Sequence, residues 1–178
     1  TGLRHDFESK FECRFSSDVQ ANRNLIKRFA DSLALSALFS SREISEVLKK
    51  LGIQSPVFCG PIVSHFTHTD LNGKSYGLPW HQDYPSMASS SRALIAWVPT
   101  NDCSTETHSI QVAPGEHRKG SLAGEQSDLG YILTDQCFEN CKVLEIAAGD
   151  VLLFSPYLPH RTYVNPTSAT PKLSFSRR

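Results

Sequence analysis

Apolar residues recur at helical intervals in the first third of the chain and at alternate positions after it. Leu25, Ile26, Phe29, Leu33, Ala37 and Leu38 are spaced near the helical repeat, which lines one face of an α-helix. A helix is therefore predicted over 18–40, with Asp18 as its N-cap. Ile44, Val47, Leu48 and Leu51 form a second stripe over 41–51, opened by Ser41 and stopped by Gly52. From residue 53 the period shortens to two. Strands are predicted over 61–67, 92–99, 109–112, 142–146, 151–155 and 172–176, with 162–164 extended beyond His160. In 92–99, Leu94, Ala96 and Val98 lie on one face and Ala93, Ile95 and Trp97 on the other. Asn72-Gly73 marks a hairpin whose second arm leads into Pro79–Asp83. Short strands broken by Gly, Pro and Asn turns predict an antiparallel sandwich or barrel. Residues 1–52 would be its helical support and 53–178 its β core, the whole forming a single domain. Residues 1–17 give no assignment. Residues 116–141 are hydrophilic and poorly periodic, with Gly120, Gly124 and Gly130. A stretch of that length is expected to be a flap over an active site.

Composition narrows the classes. At 178 residues, 39% hydrophobic and 20% charged, the chain can bury a proper core and is not disordered as a whole. Its 18 basic and 18 acidic residues cancel, which gives no pointer to nucleic acid or to an anionic membrane. No apolar run reaches the roughly 18 residues needed to cross a bilayer. The polar start, Thr1 to Asp6, has no signal-peptide character, and without an initiating Met it reads as part of a longer chain. Five cysteines are an odd number with no framework spacing, so free thiols in a reducing, cytoplasmic compartment are expected. Cys137 and Cys141 lack the second pair that a zinc site needs.

The candidate chemistry begins at Pro79-Trp80-His81-Gln82-Asp83-Tyr84. In an extended segment His81 and Asp83 share a face, and His160 offers a third donor. Two histidines and one carboxylate on one face of an octahedron leave the opposite face open, the donor set of non-haem Fe(II) oxygenases. His68-Thr69-Asp70 has the same spacing but adjoins the Asn72-Gly73 turn, a poor place to hold a ligand rigidly. The pair behind the stiff lead-in Leu78-Pro79-Trp80 is preferred. His5, His65, His108 and His117 have no partner at ligand spacing, and a surface or structural role is expected for each.

Three motifs occur in order: His81-Gln82-Asp83, Ala113-Pro114-Gly115-Glu116-His117, and Gly149-Asp150-Val151-Leu152-Leu153-Phe154 followed by His160. Together they resemble the phytanoyl-CoA dioxygenase (PhyH-like) family of Fe(II)/2-oxoglutarate oxygenases, over about residues 60–178. The resemblance implies a mainly β fold with N-terminal helices, a double-stranded β-helix (a jelly-roll, cupin-like barrel). It implies His81, Asp83 and His160 as ligands of Fe(II), with 2-oxoglutarate and O2 as cosubstrates. It implies hydroxylation of an unactivated carbon of a small molecule, with 2-oxoglutarate converted to succinate. Relatives that halogenate carry a small residue where Asp83 stands, so hydroxylation is expected here. The family's usual 2-oxoglutarate anchor is an Arg; at that place this chain has Pro171-Lys172, and Lys172-Leu173-Ser174 matches the family's Arg-x-Ser with Lys substituted. Lysine grips a carboxylate as a point charge, without a bidentate fork. Arg177 and Arg178 are rivals, although alternation puts Arg177 on the face opposite Lys172. Thr162 matches a Ser or Thr that helps hold the carboxylate, Trp97 an aromatic wall of the pocket, and Ser174 shares the face of Lys172.

Two other readings stay open: a non-catalytic barrel of the same fold, and a cupin-like metalloenzyme that does not use 2-oxoglutarate. In the latter Lys172 would be incidental; a charge guarding an edge strand is its bland role. The substrate is not legible in the residues, because fold does not select it.

Overall fold

The computed structural model describes residues 19–69, 75–87, 90–134 and 136–178. The helix predicted over 18–40 is two helices, α1 (Val19–Ala30) and α2 (Leu33–Phe39). The chain turns at Asp31-Ser32, where Ser32 is extended and its hydroxyl accepts the Leu35 N–H at 3.3 Å. A serine that can cap a new helix competes with continuing the old one. The restart resets the helical phase. Ala30 and Phe39 are buried, whereas Phe29, Leu33 and Leu38, all in the predicted stripe, are exposed. The expected cap Asp18 lies outside the described residues. α3 (Arg42–Lys50) follows the prediction: Ser41 caps it through the Ile44 N–H, Ile44 is buried, and Gly52 ends it at φ 85.

Ten strands follow: β1 (Val63–Thr69), β2 (Ser75–Tyr76), β3 (Ile95–Pro99), β4 (Ser109–Val112), β5 (Gly124–Ser127), β6 (Gly130–Leu133), β7 (Lys142–Val143), β8 (Leu152–Phe154), β9 (His160–Tyr163) and β10 (Lys172–Arg177). One turn of helix, α4 (Tyr84–Met87), lies between β2 and β3. A five-stranded antiparallel sheet has the order β2-β1-β10-β3-β8. Asn72-Gly73, between the paired β1 and β2, is outside the described residues. A second sheet has the order β7-β4-β9, and β5 pairs with β6. Among the described residues no strand pairing closes these sheets into a barrel.

Two apolar clusters hold this mainly β fold together. Outside the large sheet, Ala30, Phe39 and Ile44 of the helices pack on Ile62, Val98 and Phe175. Between the sheets lie Ile95 and Trp97 of β3, Ile110 and Val112 of β4, Cys103 and Phe154. The predicted alternation of β3 is realised, with Val98 on the helical side and Ile95 and Trp97 inside. Residues 116–141 are more ordered than their sequence suggests: a 3-10 turn (Glu116–Lys119) leads into the β5–β6 hairpin.

Candidate metal centre

His81 and His160 meet through their backbones before their rings meet. The His81 N–H donates to the His160 carbonyl at 2.9 Å and the His160 N–H returns the bond at 3.0 Å, a hydrogen-bonded antiparallel pair. Their rings lie 4.1 Å apart. His81 also bridges to Ile132 of β6, so this single residue joins β9 to the hairpin. The segment 79–83, read as extended from the sequence, has His81 as its bridging residue before α4.

The two rings are held in the same way. Nδ1 of His81 bonds the Pro79 carbonyl at 2.8 Å, and Nδ1 of His160 bonds the Leu158 carbonyl at 2.9 Å. A carbonyl only accepts, so each Nδ1 carries a proton and each Nε2 is the ring atom left to face a metal. That is the arrangement a metal-binding histidine requires. Burial is the main reason the His160 imidazole is pushed down to about 4, with His81 adding to it; it is neutral at physiological pH.

Asp83 completes the group. Among the described residues His81, Asp83 and His160 form the one set of three donors, with ligand atoms all within 4.8 Å of one another. Burial pushes the Asp83 carboxyl up, but the adjoining His160 imidazole and the charge and hydrogen bond of Arg178 outweigh it and hold it below the ordinary carboxylate range. Gln82, between the two donors, points away and is buried. Its amide donates to the carbonyls of Gly120 and Tyr157 at 2.9 and 2.6 Å and accepts the Leu122 N–H at 2.8 Å. These bonds fix the backbone on which His81 and Asp83 sit.

The three donors open into a cavity of about 910 Å³ that Trp97, Thr162, Lys172 and Ser174 also line. Lys172 is 3% exposed and lies on a strand flanked by β1 and β3, so it does not guard an edge. Its Nζ donates to the Ser109 carbonyl at 2.8 Å and sits 5.4 Å from the Trp97 ring. Burial pulls its pKa down to about 8. Ser174 is fully buried, and its hydroxyl has no partner. Thr162 accepts the Leu78 N–H through Oγ1 at 2.9 Å, which leaves its own O–H to donate. This contact needs Gly77, where a Cβ would come within 2.7 Å of the Thr162 side chain.

Several placements differ from the sequence reading. His65 takes the second of its two expected roles and not the surface one: it lines the cavity, bonds the Ser176 hydroxyl at 2.9 Å, and is held neutral, down to about 3, chiefly by burial. Its alternation with Val63 and Thr67 in β1 is the sequence signal that puts it on the inner face. Arg177 turns outward over Phe58, 4.2 Å from the ring, as alternation requires. Arg178 turns in and bonds Asp83 at 2.6 Å. His68 lies in β1 and Asp70 is outside the described residues. Cys137 is exposed, and Cys141 accepts a hydrogen bond from Gln111.

A two-sheet β scaffold presenting two histidines and a carboxylate to one cavity defines a protein of the mononuclear non-haem metal class. The chain belongs to the phytanoyl-CoA dioxygenase (PhyH) family, whose model matches residues 2–172. No curated protein matches it. Among solved structures it is similar to the epimerase SnoN in complex with Fe3+, alpha ketoglutarate and nogalamycin RO, at TM-score 0.67 and 19% identity over 85% of this chain and 60% of that one. It is also similar to the non-heme monooxygenase ThoJ, at TM-score 0.66 and 16% identity over 80% of this chain and 53% of that one. EctD from S. alaskensis with 2-oxoglutarate and 5-hydroxyectoine gives TM-score 0.60 and 18% identity over 83% of this chain and 52% of that one. The chain therefore spans between half and two thirds of the length of these proteins.

Proposed function

We propose that this chain is the catalytic core of an Fe(II)/2-oxoglutarate-dependent dioxygenase that hydroxylates an unactivated carbon of a small molecule. The observation that carries this reading is a single cavity shared by the donor triad and a buried lysine. Among the described residues no carboxylate pairs with Lys172. A buried cation without a counter-charge is costly, and a ligand carboxylate would remove that cost.

The two sheets are read as a double-stranded β-helix, with the helices as part of the same domain. His81 and His160 would bind iron through Nε2 and Asp83 through a carboxylate oxygen. Lys172 would pair with the distal carboxylate of 2-oxoglutarate, with the Thr162 and Ser174 hydroxyls donating to it and Trp97 walling the pocket. Iron and 2-oxoglutarate, when bound, supply the oxidation with O2 and release succinate. The protein's own part is to hold these ligands, orient the substrate and keep water out. Retention of Asp83 favours hydroxylation over halogenation. The free thiols of Cys59, Cys103, Cys137 and Cys141 fit a reducing, cytoplasmic setting, and no helix among the described residues is long and apolar enough to cross a membrane.

The test is Fe(II) binding and succinate formation from 2-oxoglutarate. H81A, D83A and H160A should each lose most of the metal. If H68A or D70A abolishes binding while H81A does not, the wrong pair has been chosen. Metal binding without any succinate would favour a cupin-like enzyme that does not use 2-oxoglutarate.

A further inference from the structure

Arg178 and Asp83 form an ion pair that the reading above does not use. The Arg178 Nη2 donates to Oδ1 of Asp83 at 2.6 Å, and the two side chains are 19% and 8% exposed. The other carboxylate oxygen, Oδ2, faces Nε2 of His160 at 3.7 Å. The two oxygens of one carboxylate are thus assigned different neighbours, one a guanidinium and the other the space between the histidines. The arrangement is anchored behind the arginine as well: its carbonyl accepts the Cys59 N–H at 2.8 Å, and strand alternation sends Arg177 outward, over Phe58.

This division matters to coordination. A carboxylate with both oxygens free beside a metal can bind through both and take two positions. With two histidines, an octahedron then has two positions left, and a chelating 2-oxoglutarate fills them. A carboxylate that binds through one oxygen leaves three, enough for 2-oxoglutarate and one further small ligand. A short charge-assisted bond in a buried site is strong and directional, and it competes for Oδ1 with a second metal bond, drawing that oxygen's charge towards the guanidinium. We propose that Arg178 is a positioning residue that keeps Asp83 a one-oxygen ligand and so reserves a coordination position for O2. The inference rests on the iron and 2-oxoglutarate reading of the site.

The test uses nitric oxide as the stand-in for O2. Wild type, R178A, R178Q and R178K are loaded anaerobically with Fe(II) and 2-oxoglutarate and exposed to nitric oxide, and the high-spin ferrous–nitrosyl signal is read by electron paramagnetic resonance. Metal affinity is measured separately by calorimetric titration with Mn(II). R178A should bind Mn(II) with a dissociation constant within about threefold of wild type, well inside the 10–100-fold loss expected when a partner merely supports a ligand. Its nitrosyl signal should fall at least about tenfold. R178K, which keeps a charged donor, should recover most of the signal. Should R178A fail to fold, R178Q carries the same test with a side chain closer in shape. A full nitrosyl signal in the folded neutral variant overturns the inference, as does a loss of Mn(II) affinity that accounts for the lost signal. Wild-type protein that binds neither Fe(II) nor Mn(II) removes the reading of the site, and this inference with it; metal binding in wild type with an unchanged variant removes the inference alone.

Discussion

The two faces of β10 are built for opposite purposes. Outward, Leu173 and Phe175 pack with Phe39, Ile44 and Val98 in the cluster beneath the helices. Inward, Lys172, Ser174 and Ser176 are all buried, with Thr67 and His65 opposite Lys172 and Ser174 on β1. The inner face of a sandwich is ordinarily apolar, because both sheets bury it. Here the apolar part is confined to β3, β4 and β8, and the β1–β10 part is polar with an unpaired hydroxyl and a lysine lacking a counter-charge. The face that stabilises the sheet is the one against the helices. The inner one is polar and buried, which suits the proposed 2-oxoglutarate pocket.

The contrast can be broken most directly at Phe175. Truncation of a buried aromatic leaves a cavity and typically costs about 3–5 kcal/mol. F175A should therefore lower unfolding stability by that order in a urea titration while leaving any folded protein with unchanged 2-oxoglutarate affinity. The inner row should respond in reverse. K172A should raise the 2-oxoglutarate dissociation constant about 100-fold, on the order of 3 kcal/mol for a desolvated charge pair, with iron affinity nearly intact and stability equal or improved. R177A, titrated in parallel, should do nothing to 2-oxoglutarate; a loss confined to R177A would transfer the anchor to that residue.

The third test uses acid. His108 is 1% exposed and accepts the Asn165 N–H through Nδ1, and burial, with Lys172 adding to it, holds it down to about 4. The unfolded chain takes up this proton near the ordinary histidine value of about 6.5, before the folded one does, so stability is fully present above that pH. It falls as the pH drops towards 4 and levels off below, at a rate of up to about 1.4 kcal/mol per pH unit for this group. Urea midpoints between pH 7.5 and 4 should show the slope. H108N keeps an acceptor for the Asn165 N–H and removes one of three such titrations, since burial holds His65 and His160 down as well, so it should make the slope shallower by one group's share; an unchanged slope would assign the effect to the other two.

Which features were legible in the sequence follows from their range. The Ser41 cap, the Gly52 stop and the two faces of β3 are local and could be read directly. The break at Asp31-Ser32 could not, because the apolar spacing runs on across it and only the buried set, Ala30 and Phe39, reveals the change of phase. The hairpin within 116–141 was missed because its strands alternate weakly: Glu125, Gln126 and Ser127 are exposed on both faces. The triad was proposed from spacing and resemblance, and the structure brings those three side chains together. Alternation gives the faces of His65 and Arg178 but not their partners, and Gln82 has no spacing signal of its own. Each takes its position from a partner far along the chain: Ser176 for His65, 111 residues away, and Asp83 for Arg178, 95 residues away.

The backbone pairing of His81 with His160 bears on when the site comes into being. These two residues meet only once β9 has crossed back to the segment after β2, and β10 must find β1 across almost the whole β region. Closing such long loops is slow and is rewarded late in folding. On the proposed reading a metal ion would find no half-made pocket in a partly folded chain, and it would act as a seal on completed folding. Its binding energy would fall mainly on the native state, so protein saturated with Fe(II) should resist unfolding by an amount that grows with the logarithm of metal concentration. Removing the metal would then loosen first the seam between β9 and the His81 segment.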